Sequence, residues 1–331
     1  MFGDYSFGLI LVLVLVLAAE FVNGWTDAPN AIATIVSTRV LSPTTAVLMA
    51  VFMNIAGAFA GTAVAATIGK GIVESSVINL VTIGAAMVSI VFWSTLAWRF
   101  GIPTSESHAL VSGLAGAALA TAGPDALLWA GWEKVLLGLV FSTFLGFFGA
   151  AIIMISVYWI FRKSSQTHVK KVFGRLQALS AAFMAFGHGS NDGQKFIGVF
   201  TLAMVLGGAI PEFKVSFEII VLCSLIMGLG TSVGGWRIIK TMGMKMVKLE
   251  THQGFSAETG AAIVIQLASV FGIPLSTTHT INSAILGSGS VTRLSAVRWG
   301  VVRELVLAWV LTFPVCGFIS WIVANIFQKL F

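Results

Sequence analysis

Two aspartates, Asp27 and Asp192, stand in long apolar stretches almost free of other charge. Their settings are Asn23-Gly24-Trp25-Thr26-Asp27-Ala28-Pro29-Asn30 and His188-Gly189-Ser190-Asn191-Asp192-Gly193-Gln194-Lys195. A lone carboxylate costs several kcal/mol in an apolar interior, so such residues are retained where they do chemistry. Side-chain oxygens of Asn23, Thr26, Asn30, Asn191 and Gln194 lie close by in the sequence, and hard cations prefer oxygen ligands. Asp27, Asn30, Asn191 and Asp192 are therefore the candidate ligands of a coupling Na+, or the carboxylates a carrier of H+, with Gln194 and Lys195 beside them. The competing reading is structural: each Asp caps a half-helix, with Pro29 and Gly193 near the break.

Hydroxyls form a second constellation. Gly101-Ile102-Pro103-Thr104-Ser105-Glu106-Ser107-His108 and Gly272-Ile273-Pro274-Leu275-Ser276-Thr277-Thr278-His279 share a Gly-Ile-Pro turn followed by Ser and Thr. Such residues cap the helix that follows. A capped N-terminus deep in an apolar protein also offers free N–H groups and the positive end of a dipole, which suits an anion. Thr104, Ser105, Ser107, Ser276, Thr277 and Thr278, with Asp27 and Asp192, are thus candidates to hold a small tetrahedral oxyanion. Anion and carboxylates repel one another, so a cation must arrive with the substrate. An inside-negative potential also opposes anion entry by about 2.3 kcal/mol per charge per 100 mV. Monohydrogen phosphate carries a P–OH that an ionised Asp can accept, whereas sulfate has no proton to offer, which favours phosphate. His108 and His279 occupy equivalent positions and read either as packing residues or as proton carriers. Glu106, aligned with Thr277, is a candidate gate or proton site.

The elements that carry these residues must lie in a membrane. Of 331 residues, 57% are hydrophobic and only 10% charged, too few charges to cover two soluble domains of ordinary size. Apolar runs such as 7–19 and 135–161 recur along the chain. The net charge of +6 is spread over short loops, which points to membrane topology and away from nucleic acid. Cys223 and Cys316 offer no metal spacing. The first apolar stretch lacks a basic leader and a cleavage site, so it reads as a retained span. Neither a H-E-x-x-H nor a G-x-S-x-G pattern is present, and no enzyme or resident cofactor is expected.

The two constellations recur because the chain is duplicated. The Asp27 and Asp192 segments align at an offset of 165, 47–73 with 221–247 at 174, and the two Gly-Ile-Pro segments at 171. The expected fold is an all-α polytopic membrane protein with about ten to twelve hydrophobic helical segments. Its first repeat is 1–161: an interrupted helix (7–36), a helix (45–68), a hairpin (78–121, tip near 101–107) and a long helix (127–161). A basic cytoplasmic linker spans 162–175. The second repeat is 176–331, with segments at 176–210, 217–241, a hairpin at 257–292 with its tip near 272–278, and 298–328. If each hairpin is re-entrant, every repeat crosses three times and the second is inverted. Thirteen Lys and Arg then fall on the inner side: Arg39, five in 162–175, four in 237–248 and three in 293–303. Four fall outside: Lys70, Lys134, Lys214 and Lys329. By the positive-inside rule both termini lie outside.

The segments at 23–31, 187–195 and 272–279 resemble the signatures of the PiT family of inorganic phosphate transporters, and the likeness covers nearly the whole chain. It implies cation-coupled phosphate symport by alternating access across the cell membrane, inverted repeats with re-entrant hairpins, and a homodimer. It also implies roles for Asp27, Asn30, Asn191, Asp192 and the tip hydroxyls. Three departures stand out. Gly24-Trp25-Thr26-Asp27 replaces the family's Gly-Ala-Asn-Asp and loses an Asn ligand; Asn54 stands where eukaryotic members carry Glu; and Lys195 holds the place that Asn30 has in the first motif. The Lys195 ammonium would either replace a bound Na+ as a tethered cation, moving coupling toward H+, or extend to the surface. The pattern resembles the bacterial low-affinity branch, for which uptake of metal-phosphate complexes is also expected. Sulfate transport on the same fold and an anion channel are the competing functions.

Overall fold

A computed structural model describes residues 6–69 and 77–330; Lys70 of the expected outer set lies outside them. Thirteen α-helices account for most of the described chain, and a β-bridge joins Val247 to Val297.

The first half comprises α1 (Phe7–Ser37), α2 (Pro43–Ala58), α3 (Ala63–Ile68), α4 (Leu80–Phe100), α5 (Glu106–Ala122) and α6 (Trp129–Phe161). The second comprises α7 (Gln166–His188), α8 (Gln194–Leu206), α9 (Phe217–Val233), α10 (Trp236–Lys240), α11 (Thr251–Val270), α12 (Thr277–Thr292) and α13 (Trp299–Leu330). A π-helical turn, Gly189–Gly193, joins α7 to α8. Helices α1, α4, α6 and α13 each hold a segment long and apolar enough to cross a membrane. The pair Phe217–Val233 and Trp236–Met246, bent by 58°, makes a fifth if its two arms form one span.

The two Gly-Ile-Pro segments adopt the same local structure. Gly101 and Gly272 end α4 and α11 at φ of 69° and 66°, a left-handed turn that a Cβ would strain. Ser105 and Ser276 then cap α5 and α12, accepting from the backbone N–H of His108 (3.3 Å) and His279 (3.1 Å). Single 3-10 turns at Pro124–Ala126 and Leu294–Ala296 precede the long helices α6 and α13. The halves also interlock. Gly116 of α5 lies against the carbonyl of Gly317 in α13, and Gly287 of α12 against that of Phe147 in α6, so each hairpin packs on the other half's long helix.

Four boundaries differ from the sequence reading. Helix α1 is not interrupted at 23–30 but runs on through Pro29. Pro29 is buried among neighbouring helices, and Gly235 at the start of α10 leaves the room its ring needs. The break falls instead in the next element of each half, between α2 and α3 and between α9 and α10, where single helices over 45–68 and 217–241 were expected. Of the basic segment 162–175 only 162–165 is non-helical. Ser165 caps α7 by accepting from His168 N–H (3.3 Å), and Val169, Val172 and Phe173 supply an apolar stripe. Helix α11 begins at Thr251 rather than near 257, because Glu250 and Gln253 form a capping box.

Helix α1 carries the site between two cores. Its first turns (Leu9, Leu13, Val16, Ala19) pack with Ile83, Ile90 and Phe196, and its last turns (Ile32, Ile35) with Met184, Ile238 and Ile285. Between them Glu20, Asn23, Thr26, Asp27 and Asn30 are all buried, a polar layer within the apolar body.

Candidate functional site

Helix α1 and the α7–α8 junction bring the two aspartates to one imidazole. His188 Nε2 lies 3.8 Å from Asp27 Oδ2 and 3.3 Å from Asp192 Oδ2, and one ligand atom from each residue falls within 4.8 Å of the others. The π turn matters here, because the extra residue per turn re-aims Asp192 without ending the helix. His188 is oriented from behind: its Nδ1 is 3.2 Å from Asn54 Oδ1. The Asn54 amide is set in turn by its NH2, which donates to Thr231 Oγ1 (3.0 Å), whose own hydroxyl donates to the Met227 carbonyl (2.9 Å). Both imidazole nitrogens thus face oxygen acceptors.

Lys195 extends inward. It is 1% exposed, and its ammonium donates to Asp192 Oδ1, to Ser107 Oγ (2.5 Å) and to the Leu275 carbonyl (2.7 Å). One side chain therefore ties a carboxylate to both hairpin tips. Lys195 lies one turn after Asp192 on α8, where i and i+3 side chains meet, and the apolar surround leaves the ammonium these three acceptors. The surface-reaching reading of Lys195 is thereby corrected.

The tips complete the cluster. Thr277 donates to Asp192 Oδ2 (2.5 Å), and Thr278 Oγ1 is 3.3 Å from both Asp27 oxygens while accepting from the Asn30 amide (3.0 Å). Ser276 donates to Ser105 (2.9 Å), closing the two tips on each other, and Ser107 donates to the Leu275 carbonyl (3.0 Å). Thr104 is buried, and among the described residues no hydrogen bond ties it to either carboxylate. A cavity of about 20 Å³ beside Ser107, His108, Lys195 and Ser276 has room for a single water.

Other expected residues face elsewhere. The Asn191 amide donates to Ser269 Oγ (3.0 Å) and to the Ile273 carbonyl (3.2 Å), toward α11. Gln194 Oε1 accepts from Val64 N–H (3.0 Å) and so caps α3. Glu106 is held by Thr26 and Ser94, each 2.8 Å away. His108 and His279 meet edge to face at 4.4 Å, His279 stacked on Trp309 at 3.8 Å. His188 was not among the expected site residues, although its i, i+4 spacing to Asp192 was the available signal. Nor was the Glu258 cluster expected, in which a buried carboxylate takes donors from Thr34, Ser180 (2.5 Å) and Gln177 (3.2 Å).

The chain that carries this cluster matches a known group of proteins. A model of the phosphate transporter family matches residues 23–320. The chain belongs to that family. A protein of Rhizobium meliloti (strain 1021) named a probable low-affinity inorganic phosphate transporter is 44% identical over 318 residues, covering 95% of each chain. One of Bacillus subtilis (strain 168) with the same name is 40% identical, covering 96% of this chain and 97% of its own. A putative phosphate permease of Pyrococcus abyssi (strain GE5 / Orsay) is 28% identical, with coverage of 96% and 97%. A solved structure described as the sodium-dependent phosphate transporter matches the fold with a TM-score of 0.89 at 24% identity, covering 98% of this chain and 100% of that one. Family membership makes this a multi-pass membrane protein of a transporter family rather than an enzyme family.

Proposed function

We propose that the protein is an inorganic phosphate symporter driven by H+, working by alternating access across the cell membrane. The observation that carries this reading is Lys195, whose ammonium already neutralises Asp192 in the position a coupling Na+ would take. With Asp192 so paired, Asp27 and His188 are the groups of this cluster that would exchange a proton as the substrate enters. Phosphate would bind between the tips, with Ser107, Ser276, Thr277 and Thr278 donating to its oxygens and Lys195 supplying the charge. The P–OH gives Asp27 a donor that sulfate lacks. A cavity of about 20 Å³ is smaller than the substrate, so binding requires the tips to separate, and the seam between Ser105 and Ser276 is where they would part.

The two halves are read as inverted repeats, with α4–α5 and α11–α12 as re-entrant hairpins, the termini outside and the 162–175 segment inside; the thirteen-to-four split of basic residues supports that sidedness. Asn191 and Gln194 then hold the junctions that shape the site. Sodium coupling keeps one observation in its favour: Asp27 and Asn30 converge on Thr278 with no lysine among them. Uptake of labelled phosphate into proteoliposomes under separate H+ and Na+ gradients decides between the two. We expect concentrative uptake with the H+ gradient, abolished by an uncoupler and not competed by excess sulfate. Uptake that follows only the Na+ gradient overturns H+ coupling, and uptake that follows neither overturns symport.

A further inference from the structure

A second cavity, of about 370 Å³, lies away from the transport site, where the end of α6, the start of α7, the start of α11 and the end of α12 converge. Its size falls within the roughly 300–1,000 Å³ typical of small-molecule sites. Two kinds of wall enclose it. Arg162 and Lys170 stand on the basic side, both exposed, within a segment 162–175 that carries five basic residues and no acidic one. Tyr158, Phe161 and His252 form the aromatic side: the Tyr158 and His252 rings meet edge to face at 5.8 Å, and Tyr158 OH is 3.0 Å from Thr292 Oγ1. Glu250 is the one acidic residue at the rim, and it faces His252 Nδ1 at 3.6 Å, which leaves Arg162 and Lys170 free for an outside anion. His252 Nδ1 is itself buried with no hydrogen-bond partner.

The location narrows the class of ligand. The neighbouring flank of α6 is apolar and open: Trp159 is 66% and Ile160 74% exposed, and the Arg162 guanidinium sits 5.4 Å above the Trp159 ring. An aromatic residue and an arginine at the end of a spanning helix mark the level where it leaves the bilayer. A ligand here meets positive charge and an aromatic wall on one side and lipid-facing surface on the other. Basic pockets between membrane helices at that level suit acidic headgroups.

We propose that this cavity binds the headgroup of an anionic phospholipid, the phosphodiester held by Arg162 and Lys170 and the acyl chains lying along the open flank of α6. A basic contact near a membrane surface is worth about fivefold in affinity, so removing both should weaken binding about 30-fold. The test uses the full-length protein in phosphatidylcholine nanodiscs titrated with phosphatidylglycerol, with bound lipid counted by native mass spectrometry. Because both leaflets are equivalent there, the result does not depend on sidedness or on what is transported. The Arg162→Gln/Lys170→Gln protein is compared with Lys163→Gln/Lys171→Gln, which removes the same charge from exposed positions of the same segment outside the cavity. We expect a phosphatidylglycerol preference that the first pair loses and the second keeps. Equal losses in both pairs, or no preference in the unsubstituted protein, overturn the site. Displacement of the lipid by soluble glycerol phosphate at similar concentration overturns the lipid as its ligand.

Discussion

Replacing Lys195 with Asn restores at α8 the residue type that Asn30 supplies on α1, and it removes three contacts at once: Asp192 Oδ1, Ser107 Oγ and the Leu275 carbonyl. Asp192 retains Thr277 at 2.5 Å and His188 at 3.3 Å but loses its lysine partner. Deleting one member of a buried ion pair costs about 3–5 kcal/mol. At tenfold per about 1.4 kcal/mol, that is a factor of roughly 140 to 3,700 against any state that keeps Asp192 ionised. A diffusible cation can take over the vacated position, and a ligand at about 100 times its dissociation constant returns about 2.7 kcal/mol. The purified variant should therefore melt well below the parent protein in choline chloride and recover most of the loss in sodium chloride of equal ionic strength. The parent should melt alike in both salts. In proteoliposomes the variant's phosphate uptake should shift from the H+ gradient toward the Na+ gradient. Matching melting curves and matching cation profiles in the two proteins would refute the idea that Lys195 stands in for a coupling cation.

The remaining predictions concern the same cluster and its scaffold. Asp27→Asn and Asp192→Asn should each abolish concentrative phosphate uptake while the protein remains inserted, measured as uptake per unit of membrane-extracted protein. Asn54→Ala leaves the buried His188 Nδ1 without its partner, so stability should drop by about 1–3 kcal/mol and uptake should fall with it. Gly116→Ala drives a methyl group into the Gly317 carbonyl, and overpacking of that kind costs about 1–3 kcal/mol, read as a lowered melting temperature. Gly174→Ala in α7 meets nothing within 4 Å and should instead raise stability by up to about 1 kcal/mol through helix propensity.

Much of the site was legible because its chemistry conflicts with its surroundings. Asp27, Asp192 and Lys195 are conspicuous in stretches where charge is otherwise absent, and all three converge. Ser105 and Ser276 were readable as caps because a Gly-Ile-Pro turn before a hydroxyl is a local signal, and both cap as expected. Asn191 and Gln194 were indistinguishable from site residues by type, since an amide beside a buried Asp can face the ion or a neighbouring helix. Their partners, Ser269 and the Val64 N–H, lie 78 and 130 positions away, where no local pattern reaches. Pro29 misled for the same reason. A proline breaks a solvated helix, but within a packed bundle the neighbouring backbones absorb the lost hydrogen bond.

The sequence by itself determined that the chain is helical and membrane-embedded, and which few polar residues are buried at a cost. Those properties follow from composition, spacing and local capping, which act within a few turns of helix. Tertiary structure alone decided that Lys195 turns inward to join Asp192 to both tips, that His188 stands between the two aspartates, and that the helix breaks fall beside α1 rather than within it. Each is a choice among partners far apart in the chain, made by which buried donors and acceptors could be satisfied together once the two halves interlocked.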